Sequence, residues 1–552
     1  MKYYSKEAVE STLIGKTIFD CLFDCNKDYL NGIALQYFGR KILYGQMFSN
    51  IEKTACAYTA VGIKKGDTVT ICSVMTPETI YSFYALNIIG AIANMVDPRS
   101  SVEGISEYIS ESNSKVVVVI DAALGKITPF LENGNVETII VVSPADSMPF
   151  ALSTFYSITN HVKTKKGIIC WPQFIKGGES ITLSKRTYEK DLPTVIMHTG
   201  GTTGNPKGVL YSDDSYNFLS IQLDYQGSGM ERGHKFLDIM PPFIAYGMAC
   251  GVHQAMCAGC TLVLVPKFDP MKFDRLIMKY KPQHFWGVPT HLDAVTMSKR
   301  MKKADLSFLI RAGVGGDSLN KESEVRINEF LANHKCKYAV TKGYGMTEVN
   351  SAICVCIDRA DKVGSVGIPL VHSIVSAFEP GTQNELKIGE VGEICITGPA
   401  MMIGYLNNPE ETDKVMQKHA DGRIWIHTGD SGYVDEDGFV FILDRIKRMI
   451  IREDGFKVYP SIIENVITKS DAVENCAVVG VRNINYTQGV NPKAFVVLNG
   501  KYDKETAISM IWDICRKELA EYCLPSSIVV IDELPLTPIG KIDYMSLSKI
   551  NE

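Results

Sequence analysis

Residues His198–Val209 read HTGGTTGNPKGV, and this stretch indicates how the rest of the chain is organised. It follows the apolar run PTVIM at 193–197, which we predict to be a short buried strand. Glycines let a backbone turn several N–H groups toward one point, and hydroxyl and ammonium groups add further donors, so the loop suits a polyphosphate. The spacing is not that of a Walker A loop, because Lys207 lies between Pro206 and Gly208. The predicted phosphate-binding residues are Thr199, Gly200, Gly201, Thr202, Thr203, Gly204 and Lys207.

The composition is that of a globular protein with more than one domain. The chain has 552 residues, 45% of them apolar and 22% charged, which is too long for a single hydrophobic core. The net charge of -5 and the lack of a basic stripe argue against nucleic acid as the main partner. The N-terminus has no apolar signal-peptide core, and no apolar run is long enough to span a bilayer. We therefore expect a cytoplasmic protein.

The 15 cysteines are scattered along the chain. Cys257 and Cys260 have the C-x-x-C spacing of redox or metal-binding motifs, but no second pair and no histidine cluster lies near them in the sequence. We therefore expect reduced thiols that are buried as small hydrophobic side chains.

β-branched runs that alternate with helical patterns predict the α/β fold class. The runs at 68–72, 115–120 and 137–142 are almost continuously apolar, and a longer helical pattern at 78–96 follows the first of them. Such strands are typical of a parallel sheet that is covered on both faces. Residues 1–66 are predicted to be helices and turns.

Further motifs follow along the chain. They read GGDSL at 315–319, GYGMTE at 343–348, WIHTGD at 425–430 and PLTPIGKID at 535–543. Together with the loop after residue 197, and in the same order, they closely resemble the motifs of the adenylate-forming superfamily. That superfamily includes acyl-CoA synthetases, luciferases and the adenylation domains of peptide synthetases. The resemblance covers roughly residues 40–545, with His198 standing where the family has Ser or Thr.

The resemblance implies an architecture of two domains. The first, residues 1–444, would contain two parallel-sheet α/β subdomains and a β-rich subdomain. The second, residues 445–552, would be a small mobile α+β domain that supplies a catalytic lysine. The oligomeric state, monomer or homodimer, is left open.

The resemblance also implies roles for single residues. Tyr344 would stack on adenine, against which the turn at 315–317 lies, and Thr347 would meet the α-phosphate. Glu348 would hold Mg2+, a hard cation that prefers carboxylate and phosphate oxygens. The remaining implied residues are Gly315, Gly316 and Asp317 at the adenine, Asp430 and Arg445 at the ribose, Lys447 as hinge, Gly455 at a CoA tunnel and Lys541 as the catalytic lysine. The stretch from Arg445 to Gly455 is one residue longer than is usual in the family.

Phe243, Ile244, Tyr246 and Gly345 are the predicted substrate-pocket residues. Relatives that activate α-amino acids have aspartate where this chain has Ile244, and a buried ammonium beside isoleucine would be unpaired. Acetate-activating relatives have tryptophan at the position of Gly345, so glycine is interpreted as leaving a deep pocket. Both positions favour an acid larger than acetate without an α-amino group.

The implied function is ATP-dependent activation of a carboxylic acid to acyl-AMP, followed by thioester formation with CoA. The acid would be a medium- or long-chain fatty acid or an aryl carboxylate, and the cofactors would be ATP, Mg2+ and CoA. One alternative is an acyl-AMP ligase that loads the phosphopantetheine of a carrier protein. Another is a non-catalytic nucleotide-binding protein.

Overall fold

Two large, mostly parallel sheets organise the chain in the computed structural model, which describes residues 2–12, 15–159, 165–199, 206–452, 457–482, 490–536 and 542–550. Helices that pack on the two sheets contribute apolar side chains to one shared hydrophobic core. A smaller antiparallel sheet and a C-terminal α+β unit complete the chain. The predicted α/β fold class is confirmed.

Sheet A has eight strands and contains the strand that precedes the predicted phosphate loop. That strand, Val195–His198, pairs parallel with Ile92–Val96 and antiparallel with Gly208–Tyr211. The loop therefore leaves the sheet at the carboxyl ends of its parallel strands, where open α/β sheets bind ligands. In spatial order the strands are Gly404–Tyr405, Gly208–Tyr211, Val195–His198, Ile92–Val96, Thr68–Cys72, Val116–Ile120, Thr138–Val142 and Ile168–Cys170.

Sheet B has nine strands, and its six central strands are parallel. Its last two strands, Ile33–Tyr37 and Arg40–Leu43, form an antiparallel hairpin where the sequence predicted helices and turns, so that prediction was wrong for this segment. The hairpin is held by a tertiary contact, because Ile33–Tyr37 pairs with Thr261–Leu264. In spatial order the strands are Ile368–Pro369, Cys354–Val355, Thr341–Tyr344, Arg311–Val314, His284–Gly287, Lys235–Asp238, Thr261–Leu264, Ile33–Tyr37 and Arg40–Leu43.

The helical pattern predicted for residues 78–96 is two elements in the structure. A helix covers Pro77–Ile89, and it ends at Gly90, whose φ of +80° is left-handed. The chain then turns into the strand Ile92–Val96. The prediction was wrong beyond residue 89, because a helix that is buried on every side and a central strand are both continuously apolar.

Sheet C is antiparallel and forms the predicted β-rich region. Its long strand Ile424–Val434 contains the WIHTGD motif and pairs with Val440–Arg445, so that Asp430 stands opposite Arg445. The other strands are Ile374–Phe378, Gly392–Thr397 and Met416–Lys418.

The C-terminal part has its own hydrophobic core, made by residues such as Ile463, Val478, Val496 and Ile511. Three strands, Val473–Arg482, Val490–Leu498 and Ser527–Val530, form its sheet, and Ile450–Ile451 pairs with Lys457–Val458.

The helices cover the sheets, and among the described residues none is both long and apolar enough to cross a membrane. A π-helix at Tyr246–Gln254 runs into a short α-helical turn, and such helices are frequent at functional sites. The α-helices are Lys6–Glu10, Ile18–Asn26, Tyr44–Ala60, Pro77–Ile89, Val102–Glu111, Leu124–Glu132, Phe150–Thr159, Trp171–Gly177, Asp213–Gln226, Ala255–Cys257, Phe273–Tyr280, Pro289–Met297, Lys321–Asn333, Pro409–Val415, Pro460–Ile467, Lys504–Glu518 and Tyr544–Lys549.

Glu78 lies in the first turn of the buried helix Pro77–Ile89 and is 1% exposed. Its Oε1 accepts a hydrogen bond from Ser147 Oγ at 2.5 Å, whereas its Oε2 has no partner in the described part of the chain. Burial therefore raises the pKa of the Glu78 carboxyl to about 7 from 4.5.

We expect Glu78→Gln to change how stability depends on pH. The unfolded chain ionises Glu78 near pH 4.5 while the folded chain keeps the proton up to about pH 7, so the wild type loses stability as the pH rises through this window. The variant lacks this loss, so its free energy of unfolding relative to that of the wild type should rise by about 2–4 kcal/mol between these two pH values. The gain is measured by comparing the free energies of unfolding of the wild type and the variant at pH 4.5 and at about pH 7. Glu7→Gln, at an exposed carboxylate, is the control, and a difference for Glu78→Gln that does not vary with pH would contradict the assignment.

Candidate active site

One cleft brings together every described residue that the sequence predicted for the site. Its volume is about 3160 Å³, and both large sheets, sheet C and the C-terminal part line it. The predicted residues on its wall are Thr199, Lys207, Phe243, Ile244, Tyr246, Gly315, Gly316, Asp317, Tyr344, Gly345, Thr347, Glu348, Asp430, Arg445 and Lys447. The other predicted residues, Gly200, Gly201, Thr202, Thr203, Gly204, Gly455 and Lys541, lie outside the described residues.

Two hydrogen bonds close the base of the predicted phosphate loop. The Thr199 N–H donates to the Lys207 carbonyl at 3.0 Å, and the Lys207 N–H donates to Thr199 Oγ1 at 3.0 Å. These bonds extend the antiparallel pairing of His198 with Gly208. The two ends of the loop are therefore held together at the carboxyl ends of the parallel strands of sheet A.

His198, the departure from the family pattern, is half-buried on the wall of the cleft. Its Nε2 lies 2.8 Å from Asn94 Oδ1, and its ring lies 4.0 Å from the ring of Tyr108. Burial lowers the pKa of His198 to about 3, so the imidazole is neutral at physiological pH. The residue orients the start of the loop without adding charge to it.

Lys207 presents its ammonium to the cleft. The Nζ atom lies 2.5 Å from a carboxylate oxygen of Glu411 and 4.7 Å from the centroid of the Tyr405 ring. This contact holds the pKa of Glu411 at about 2. Both side chains of the pair are about one-third exposed, so an anionic ligand can compete for Lys207 at small cost. Neither partner was predicted, because they come from a segment some 200 residues further along the chain.

Glu348 lies in a short 3₁₀ turn, Thr347–Val349, at the bottom of the cleft. The turn is anchored by Tyr211, whose hydroxyl donates to the Thr347 carbonyl, and by the Met402 N–H, which donates to the Glu348 carbonyl. The Tyr405 hydroxyl donates to Glu348 Oε1 at 2.6 Å. The carboxylate is thus oriented and borders the cleft, as a ligand to a hard cation must be.

Asp430 is the centre of a second polar group. Its carboxylate accepts a hydrogen bond from the Tyr344 hydroxyl and pairs with Arg445 Nε at 2.8 Å. Arg445 also donates to the Thr428 carbonyl at 3.0 Å. Asp430 is 4% exposed, and burial raises its pKa while the charge of Arg445 opposes that rise. The cross-strand pairing in sheet C therefore produces a fixed, buried carboxylate.

The glycine turn after the strand Arg311–Val314 packs beside the backbone of Gly287 and Gly343. The Gly315 N–H donates to the Gly287 carbonyl at 3.1 Å, and a Cβ on Gly315 would lie 3.4 Å from the Gly343 carbonyl. Gly316 has a φ of +78°, which favours glycine. The wall of the cleft is therefore bare backbone at Gly315 and Gly316.

Phe243, Ile244 and Tyr246 form an apolar wall at the start of the π-helix. Ile244 packs against the two largest hydrophobic cores, and the Tyr246 hydroxyl donates to the Gly287 carbonyl at 3.3 Å. Gly345 also borders the cleft, and backbone packing requires glycine at this position, because a Cβ would lie 1.6 Å from the Ser351 carbonyl oxygen.

Arg448 connects the last strand of sheet C to the C-terminal part. Its guanidinium lies 3.1 Å from Asp444, 2.7 Å from Glu464 and 3.6 Å from the centroid of the Tyr544 ring. Burial raises the pKa of Glu464 to about 7, although Arg448 opposes the shift. The predicted hinge, Lys447, lies in the same 3₁₀ turn and borders the cleft. Sequence reasoning missed Arg448, because a charged residue beside a hinge has no pattern of its own.

Tyr544, three residues after Lys541, also lines the cleft. The backbone around the undescribed segment is fixed on both sides, since Leu536 pairs with Ile542 and the Asp543 N–H donates to the Pro535 carbonyl at 2.8 Å. The C-terminal part therefore faces the same cleft as the residues of the large sheets.

Comparison with protein families finds two matches along the chain. Residues 23–406 match the model of the AMP-binding enzyme family, and residues 462–541 match the model of the AMP-binding enzyme C-terminal domain. Together they cover most of the described cleft.

Curated relatives of similar length are named as CoA ligases. The chain is 29% identical over 547 residues to a long-chain-fatty-acid–CoA ligase of Bacillus subtilis, covering 97% of this chain and 94% of that protein. It is 31% identical over 509 residues to a probable 4-coumarate–CoA ligase of Dictyostelium discoideum, covering 91% and 89%.

Solved structures share the fold over almost the whole chain. ATP-bound MatB from Rhodopseudomonas palustris has a TM-score of 0.83 at 24% identity, covering 97% of this chain and 99% of that one. The anthranilate CoA ligase AuaEII in complex with anthranoyl-AMP has a TM-score of 0.84 at 21% identity, covering 99% of each chain.

Proposed function

The chain belongs to the AMP-binding enzyme family, and we propose that it joins a carboxylic acid to CoA through an acyl-AMP intermediate. The curated relatives of the chain are named as CoA ligases. The single observation that carries this proposal is the convergence of Lys207, Glu348 and Asp430 on one cleft. The cation suits the phosphates of a nucleoside triphosphate. One buried carboxylate suits the metal ion of the nucleotide, and the other suits its ribose.

Asp430 and Arg445 are proposed to hold the ribose of ATP. A buried carboxylate whose oxygens already accept one hydroxyl can accept the two hydroxyls of a vicinal diol by exchanging that partner. Tyr344 would then be free to stack on the adenine, against the backbone surface left by Gly315 and Gly316.

The phosphate groups are proposed to lie between Lys207, Thr347 and the loop that follows His198. Lys207 would exchange Glu411 for phosphate oxygens and so follow the departing pyrophosphate. Glu348 would hold Mg2+, which would share the negative charge that builds up when the carboxylate attacks the α-phosphorus. Tyr405 keeps the Glu348 carboxylate turned into the cleft.

Lys541 is proposed to bridge the attacking carboxylate and the α-phosphate. It would be carried by a C-terminal domain, residues 445–552, that moves on the large domain, residues 1–444, about Lys447. The same motion would bring Gly455 to the path of the CoA thiol. The contact of Arg448 with Asp444, which crosses the boundary between the two domains, supports a specific docked position for this domain.

The substrate is proposed to be a medium- or long-chain fatty acid or an aryl carboxylic acid. The wall formed by Phe243 and Ile244 is apolar, and isoleucine offers no partner to the ammonium of an α-amino acid. An uncharged acyl chain or ring buried there gains about 25 cal/mol for each Å² removed from water.

The first experiment measures ATP-dependent AMP formation with a panel of acids, with and without CoA. The panel contains acetate, octanoate, palmitate, benzoate, phenylacetate, 4-coumarate, anthranilate and several amino acids. We expect AMP and an acyl-CoA with one class of fatty or aryl acid, and no AMP with amino acids. Asp437→Asn, at a surface carboxylate outside the cleft, is the control for preparation quality.

Two results would contradict the proposal. Acyl-AMP that accumulates while CoA is ignored would instead favour transfer to the phosphopantetheine of a carrier protein. No AMP with any acid, in a preparation that binds ATP, would favour the non-catalytic alternative.

A further inference from the structure

Three thiols and one imidazole converge on a site away from the nucleotide cleft. Cys21 and Cys25 lie four residues apart on the helix Ile18–Asn26, so their side chains share one helix face. His253 and Cys257 lie four residues apart where the π-helix runs into its α-helical turn. The two helical segments pack against each other.

Three of the four side chains form a compact group, and the fourth, Cys25, adjoins it. Ligand atoms of Cys21, His253 and Cys257 all lie within 4.8 Å of one another. The Cys257 sulfur lies 3.7 Å from Nε2 and 3.9 Å from Nδ1 of His253. The Cys25 thiol adjoins the thiols of Cys21 and Cys257 and would rotate toward the ion to complete the ligand set. A tetrahedral zinc ion with bonds of about 2.3 Å to sulfur would bring the sulfur atoms to about 3.7 Å from one another.

The hydrogen bonds around His253 determine which ring nitrogen carries a lone pair. Asn217 Nδ2 donates to the carbonyls of Lys16 and Thr17, so its Oδ1 remains as an acceptor 3.1 Å from His253 Nε2. Nε2 is therefore protonated and Nδ1 is not. The Tyr84 hydroxyl lies 3.1 Å from Nδ1 and donates to it.

This arrangement matches the surroundings of a metal-binding histidine. Such a residue usually donates its other ring N–H to an oxygen that fixes the ring, and Asn217 supplies that oxygen. A metal ion at Nδ1 would take the place of the Tyr84 proton donor, a single neutral hydrogen bond.

We propose that Cys21, Cys25, Cys257 and His253 form a tetrahedral binding site for a zinc ion. Three thiolates and one imidazole are a common structural zinc ligand set. The three cysteines are partly exposed, which gives the ion a route of entry, while His253 is buried. Filling all four positions with protein ligands leaves none for substrate, so the role is structural.

The site joins segments that are more than 200 residues apart. Its second segment begins at Tyr246, next to Phe243 and Ile244 on the wall of the cleft. A bound ion would therefore fix the far end of the helix that carries this wall. The inference does not depend on the proposed enzymatic function, because it rests on side chains outside the cleft.

The sequence pointed to a different pairing of the same cysteine. Cys257 and Cys260 have the C-x-x-C spacing, but Cys260 is fully buried and its sulfur lies 3.7 Å from the Glu231 carbonyl. The second pair of cysteines is Cys21 and Cys25, which helix packing brings beside Cys257. The expectation of inert buried thiols is therefore revised for these residues.

The test measures metal content of the full-length protein after incubation with zinc under reducing conditions and removal of free ion. We expect one zinc ion per chain in the wild type, and little in the double variant Cys21→Ser/Cys257→Ser. Cys56→Ser, at a partly exposed thiol outside the site, is the matched control and should keep its zinc.

Cobalt substitution tests the ligand set on the wild type, so the result does not depend on whether a variant folds. We expect thiolate-to-cobalt charge-transfer absorption together with the visible bands of a tetrahedral ion. His253→Ala should weaken binding by at least about tenfold, since even the loss of outer-shell partners costs about 10–100-fold. No zinc in the wild type, equal zinc in the double variant, or a cobalt spectrum without thiolate bands would overturn the proposal. Oxidation of two of these thiols to a disulfide that persists in the presence of reductant and zinc would also overturn it.

Discussion

Replacing Lys541 with alanine should lower the rate of acyl-AMP formation by about 10²–10³, because removing one group that stabilises developing charge typically has this cost. Two anions must meet in this half-reaction, the carboxylate and the α-phosphate, and the lysine is proposed to neutralise both. The thioester half-reaction has no such need. We therefore expect the variant to convert supplied acyl-AMP and CoA to acyl-CoA at a rate within a few-fold of the wild type.

Pyrophosphate release measures the first half-reaction, and acyl-CoA formation from synthetic acyl-AMP measures the second. Lys549→Ala is the matched control, because this lysine lies in the last turn of the helix Tyr544–Lys549. Neither half-reaction should change in the control. If both half-reactions fell equally in Lys541→Ala, the lysine would have a structural role and its assignment would be wrong.

Replacing Asp430 with alanine should lower kcat/KM for ATP by at least about 10²-fold. Hydrogen bonds to a charged group contribute about 1.5–3 kcal/mol each, and the carboxylate is proposed to make two of them to the ribose. The change also leaves Arg445 without its 2.8 Å partner at the edge of the cleft. The effect should appear in ATP affinity more than in the KM for the acid.

Deoxy analogues of ATP separate ribose binding from a general loss of structure. The wild type should lose affinity when a ribose hydroxyl is missing, whereas Asp430→Ala should treat ATP and the analogue alike. Asp437→Asn, at a carboxylate paired with Lys2 and Lys362 on the surface, should behave as wild type. An equal penalty for the analogue in wild type and Asp430→Ala would remove Asp430 from the ribose site.

The order of the motifs alone predicted several of the residues that line the cleft. Thr199, Glu348 and Asp430 are distant in sequence, yet the structure places all three on one cleft, as the resemblance implied. The partners that orient them were not predictable. Tyr405 reaches Glu348, and Glu411 reaches Lys207, only because the strand Gly404–Tyr405 pairs with the strand after the loop.

Periodicity was a less secure guide than the motifs. Residues 78–96 are apolar almost throughout, and the sequence does not mark the change from a buried helix to a central strand except by Gly90. The sequence also does not show why position 345 is glycine, because the approach of the Ser351 carbonyl oxygen decides this. The error at residues 78–96 concerns burial on all sides, where the hydrophobic pattern loses its direction.

The sequence by itself determined the fold class, the order of the motifs and which side chains are proposed to be chemically active. Those properties follow from short stretches in which neighbouring residues act together. Only the tertiary structure decided which distant side chains meet, as with Glu411 beside Lys207 and with Cys21 beside His253 and Cys257. Such meetings depend on strand register and helix packing, which sum many weak contacts over the whole core and leave no local pattern in the chain.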